Sequence, residues 1–318
     1  MQAWWQHFAA FWSACAEAVI APLCDALAFL VPIDAFQEFD FLQRALLGMV
    51  LIAPLCSTVG IQVVNFRLAF FAEAIGHSAF TGLAVGVLLS LFPVFEGMNP
   101  LPAMLFFGVA VALSITAYRR SSDLSSDVVI GVFQSAVIAL GLFIISYLLE
   151  NRVVRAGAVN FDTFLFGNVV TISNSELLAL LLFSIAAMVV QGFAYNRLMV
   201  IGLNADMART MGIRVAIYEY CYAALLAAIV MFAIKAIGVL LITAMLVIPA
   251  ASARNFARSA CSVFWWGLLV ALSSTIGGLI VSERFATATG STTILVAVVW
   301  FVVSNVVVRL RNLTASSR

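Results

Sequence analysis

Glu73 and His77 stand four residues apart in RLAFFAEAIGHSAFTG, residues 67–82. The chain has two histidines, and the other, His7, lies near the N-terminus. On a helix, positions i and i+4 share a face, so the carboxylate and the imidazole address one space. Together such groups bind cations or pass protons. Keeping an ionisable side chain inside an apolar segment is costly, and the usual reason is a substrate or ion path. The same spacing also suits a buried Glu–His pair that only fixes helix packing. Spacing alone leaves both readings open.

Other chemistry is scarce. An intramembrane enzyme needs a nucleophile–base or metal constellation. No second histidine is available at depth, and neither G-x-S-x-G nor H-E-x-x-H occurs. Lys235 is the only lysine and Ala236 follows it, so the chain carries no phosphate-binding P-loop. Any ATP-driven role needs a separate ATPase. Cys15, Cys24, Cys56, Cys221 and Cys261 are scattered and odd in number, and they read as small core residues.

The elements that position the pair are membrane helices. The chain is 64% hydrophobic and 10% charged, with mean hydropathy +1.13. A soluble domain is roughly 45–50% apolar and about 25% charged. Net charge is +1, which offers no basic patch for nucleic acid. Uncharged apolar spans run over 45–64, 102–118, 128–149, 177–195, 261–281 and 291–308. Residues 68–95 hold the pair and a Thr81-Gly82 break, which predicts a long broken helix or a helix with a re-entrant piece. Residues 220–252 are too long for one crossing and are expected to turn near 235–238. The total is nine crossings, within a range of 8–10.

Orientation follows the basic residues. With nine crossings, one set of loops holds Arg67, Arg119, Arg120, Arg197, Arg209, Arg214, Arg254, Arg258, Arg309, Arg311 and Arg318. The other holds Arg44, Arg152, Arg155, Lys235 and Arg284. The larger set predicts the cytoplasmic side, with the loop over 196–219 inside and segment 150–176 outside. Residues 1–40 form an N-terminal extension, either an interfacial helix with Trp4 and Trp5 or a poor extra span carrying Glu17 and Asp25. A cleaved signal peptide is not expected, because no basic region precedes the apolar part. Residues 41–310 form one membrane domain, and 311–318 a cytoplasmic tail.

Four segments in order carry a resemblance. They are FLQRALLGMVLIAPLCSTVGIQVVNFRLAFFAEAIGHSAFTGLAVG at 41–86, FDTFLFGNVVTIS at 161–173, LNADMARTMGIR at 203–214 and KAIGVLLITAMLVIPAASAR at 235–254. Over residues 41–308 the chain resembles the permeases of ATP-binding-cassette importers for manganese, zinc and iron. The first segment is similar to that family's aspartate-x-x-x-His stretch, and the last ends in its Pro-Ala-Ala-x-x-Arg. Glu73 stands where an aspartate is usual, Gly76 where Ser is common, and Thr81 where Pro is common. The break at 81–82 then rests on Gly82.

The resemblance implies an all-α polytopic bundle related to the vitamin B12 and siderophore importer permeases, in a bacterial plasma membrane. It implies a second permease chain, identical or not, a dimer of cytoplasmic ABC ATPases, and an external metal-binding protein. No cofactor is permanently bound; the divalent metal is cargo. Mn2+, Fe2+ and Zn2+ all accept imidazole nitrogen and carboxylate oxygen, so Glu73 and His77 become translocation-path ligands near the membrane middle. Asn65 and Glu219 are further path candidates or interfacial caps. Residues 204–214 become the ATPase-coupling helix: Asn204 as N-cap, Asp206 as early acid, Arg209 and Arg214 along it, and Gly212 as its stop. Arg152, Arg155 and Asp162 become candidates for docking the binding protein. The rivals are a permease for a metal chelate or siderophore, and a proton-coupled secondary transporter working through Glu73–His77.

Overall fold

A computed structural model describes residues 2–30, 40–92, 100–150 and 172–316. Among them the regular structure is helical: α1 Gln2–Leu30, α2 Asp40–Asn65, α3 Ala69–Leu89, α4 Pro100–Ser121, α5 Ser126–Glu150, α6 Asn174–Leu203, α7 Ala205–Thr210, α8 Val215–Phe256, α9 Ala260–Phe285 and α10 Thr289–Ser316. Nine stretches among the described residues are long and apolar enough to cross a bilayer: α2 to α6, two arms of α8, α9, and α10 as far as Leu310. The chain is an all-α polytopic membrane bundle.

The expected turn in α8 is there. Gly238 has φ 78° and ψ 164°, a conformation open to glycine and costly for other residues. It separates the arms α8a (Val215–Ile234) and α8b (Ile237–Phe256). Contacts with α2 show that the arms run back on each other. The Tyr222 hydroxyl donates to the Val59 carbonyl at 3.0 Å, and the Leu246 backbone lies against Gly60. On a straight helix those two residues stand about 36 Å apart; here they flank adjacent residues of α2. α2 is the most enclosed span, 78% buried over its most apolar window, because α6, α8, α9 and α1 all pack on it.

α1 carries one apolar stripe at helical spacing: Trp12, Ala16, Ile20, Cys24 and Leu27 are buried or half-buried. The helix packs on α2 and α6, while Glu17 and Asp25 stay exposed on its other side.

The expected break at Thr81-Gly82 is absent, since α3 continues unbroken to Leu89. Both residues serve packing instead. The Thr81 hydroxyl donates to the Val137 carbonyl of α5 at 2.7 Å. Gly82 faces the α4 backbone, where an added Cβ would meet the Met104 Cα at 2.8 Å. A glycine inside a membrane helix therefore marks close helix approach as readily as a break.

Candidate functional site

α3 begins directly after a tight turn in which Arg67 takes φ 56°. Glu73 and His77 fall in its first three turns, about 6 and 12 Å along the axis from Ala69. The pair lies in the half of α3 nearest the arginine-rich end, with His77 within one turn of the helix midpoint. The span starts at Ala69, so Glu73 has only one turn before it.

The two side chains are singled out by exposure. From Phe71 to Thr81 every other residue is buried, whereas the Glu73 and His77 side chains are 44% and 28% exposed. Of the neighbouring helices, α8b lies beside Gly76, whose added Cβ would meet Val239 and Thr243. α5 lies beside Thr81 and Glu73. The pair thus stands on a face of α3 flanked by α5 and α8b.

His77 Nε2 and Glu73 Oε1 are 3.8 Å apart, too far for a hydrogen bond. Two ligands about 2.1 Å from one ion at a tetrahedral angle stand about 3.4 Å apart. A small rotamer adjustment therefore lets both atoms reach a common cation. Among the described residues no group of three or more His, Cys, Asp or Glu could hold a metal. Among the described residues the pair offers two ligand side chains, one carboxylate and one imidazole.

Sequence reasoning missed Gln134 on α5, whose Nε2 donates to Glu73 Oε1 at 3.4 Å. The available signal was an amide within the apolar run DVVIGVFQSAVIAL.

Asn65 and Glu219 do not join the pair. Asn65 Nδ2 donates to the Met199 carbonyl at 3.4 Å, tying α2 to α6. Glu219 forms an ion pair with Arg120 of α4. Both bind one helix to another at the arginine-rich end.

At that same end lies α7. The Asn204 side chain accepts from the Asp206 and Met207 amides at 2.9 and 3.1 Å, the N-cap arrangement. Asp206 pairs with Arg209 at 2.7 Å. Gly212 at φ 78° stops the helix, and the Ile213 amide folds back onto the Ala208 carbonyl at 3.0 Å. Arg214 is corrected: it lies beyond this stop, and its carbonyl accepts from the Ile217 and Tyr218 amides at the start of α8. The short helix is thus 205–210 rather than 204–214. Ala208 is fully buried against Ile201 and Val215, while Leu203, Met207 and Met211 stand exposed. Arg152, Arg155 and Asp162 lie outside the described residues.

Residues 38–308 match the family described as the ABC 3 transport family. The manganese import system permease protein ScaB of Streptococcus parasanguinis is 28% identical over 272 residues, covering 86% of this chain and 92% of that protein. The high-affinity zinc uptake system membrane protein ZnuB of Haemophilus influenzae is 27% identical over 266 residues, covering 84% and 97%. Among solved structures, PsaBC from Streptococcus pneumoniae in complex with Fab is similar at TM-score 0.71 and 26% identity, covering 85% of this chain and 93% of that one.

Proposed function

This chain belongs to the ABC 3 transport family, and from that we propose that it is the permease subunit of an ATP-driven importer of a divalent transition-metal ion, Mn2+, Zn2+ or Fe2+. It is a multi-pass protein of the bacterial plasma membrane and has no ATP site of its own. The observation that carries the cargo class is the Glu73–His77 pair, one carboxylate and one imidazole with ligand atoms 3.8 Å apart on an otherwise buried face. Both are acceptable to all three metals.

Sparse ligands suit a path rather than a store, because an ion must leave as readily as it enters. The open side of the pair supports a second permease chain whose own Glu73 and His77, or their counterparts, complete the shell across a two-fold axis. The cytoplasmic ATPases engage α7 through exposed Met207, Met211 and Leu203. The external binding protein delivers the ion at the opposite end, where Arg152, Arg155 and Asp162 are the docking candidates.

The test is metal uptake by Glu73→Gln and His77→Ala variants present at normal membrane levels, each with its ATPase and binding protein. Loss of uptake in both is expected. Uptake near the unmodified level in both refutes the path assignment. Uptake that persists without ATP but follows a proton gradient points to the proton-coupled rival.

A further inference from the structure

Gln134 has no assigned role, and three observations set it beside the Glu73–His77 pair. First, it lies one and a half turns inside Val128, in a helix whose neighbouring residues are apolar or small. An amide facing lipid there is costly unless it finds a partner. Second, its partner is Glu73, the carboxylate of the path. Third, the register that brings them together is fixed independently further along the same two helices. Thr81 donates to the Val137 carbonyl at 2.7 Å, and a Cβ on Gly141 would stand 2.4 Å from Thr81 Oγ1. Ala84 then packs with Ile144 and Leu148. α3 and α5 are locked as parallel neighbours, so Gln134 cannot drift from Glu73 without breaking that seam.

Resting on the path assignment above, we infer that Gln134 is a specificity-determining residue of the metal path. With the path empty, its Nε2–H group holds Glu73 Oε1 and keeps the carboxylate turned to the open side. When a cation arrives, the terminal carboxamide turns about its soft last torsion and presents Oε1, a neutral hard oxygen, beside the carboxylate and the imidazole. Each chain then offers two oxygens and one nitrogen. Oxygen-rich sites suit Mn2+, whereas Zn2+ is satisfied by four ligands in which nitrogen serves well. The amide therefore improves uptake of Mn2+ more than that of Zn2+.

The experiment uses the permease assembled with its ATPase and binding protein in proteoliposomes, with uptake of Mn2+ and Zn2+ each measured over a concentration range. Gln134→Leu removes both hydrogen-bonding atoms and keeps the bulk. Its half-saturating Mn2+ concentration is expected to rise about tenfold, the usual size of a lost supporting contact at a metal ligand. The Zn2+ value moves less, so the Mn2+/Zn2+ preference falls. Gln134→His, which supplies nitrogen in place of oxygen, shifts the preference further toward Zn2+. A purely structural role would lower the assembled amount or the maximal rate and leave the preference ratio alone. An unchanged ratio in both variants, while Glu73→Gln abolishes uptake, overturns the inference and spares the path. Unimpaired uptake in both Glu73→Gln and His77→Ala overturns the path and the inference together.

Discussion

Gly60 of α2 lies so close to the Leu246 carbonyl of α8b that an added Cβ would stand 1.9 Å from that oxygen. The contact is backbone on backbone, with no flexible side chain to move aside. Gly60→Ala therefore forces the two helices apart, at a cost of about 1–3 kcal/mol typical of overpacking. Thermal unfolding of the detergent-solubilised complex should show a lower midpoint for Gly60→Ala. Gly131→Ala, whose added Cβ meets nothing within 4 Å, should match the parent chain.

Glu73→Asp is the mildest change at the site. The carboxylate is kept and drawn back by one methylene, to the residue usual in the family that the sequence resembles. Substantial uptake should survive in Glu73→Asp and be lost in Glu73→Gln. Measuring both with the same metal separates the need for charge from the need for length.

The α7 surface is tested by crosslinking. Ala208 is fully buried, so a cysteine there reports on folding. A cysteine at Met207, which is 58% exposed, should crosslink to a cysteine on the ATPase surface. Labelling at position 207 from the outside of intact cells would reverse the assigned orientation.

Arg120 and Glu219 join α4 to α8a at the arginine-rich end. Glu219→Gln should leave metal selectivity unchanged and weaken assembly modestly, by about 1 kcal/mol or less for a partly exposed pair. A changed metal preference in Glu219→Gln would return this residue to the path.

Reversing the charge of Arg152 and Arg155 should weaken capture of the external binding protein, more at low salt than at high salt. Affinity measured at two ionic strengths checks this. A loss equal at both would remove the electrostatic basis of the assignment.

The crossings and the turn at Gly238 were legible because they depend on composition and length, which are local properties of the chain. The N-cap at Asn204 and the stop at Gly212 were legible for the same reason: capping is decided within one turn. Thr81-Gly82 misled because a glycine's role depends on which helix lies against it, and that is not encoded nearby. Gln134 was invisible as a site residue because it meets Glu73 only through the pairing of α3 with α5. Arg214 belongs to the next helix because the left-handed backbone at Gly212 ends α7 before it, and Arg214 takes the N-cap position of α8.

The turn at Arg67 has a mechanical consequence. Asn65 is bonded to Met199, one turn before α6 gives way through Asn204 to α7. Glu73 follows Asn65 by a tight turn and one turn of helix. The route from the exposed rim at Met207 to the carboxylate is therefore short, with no long loop in it. On the proposed path, a tilt imposed at the rim would be passed on as a lever passes it, and Glu73 would move with the surface that is pushed.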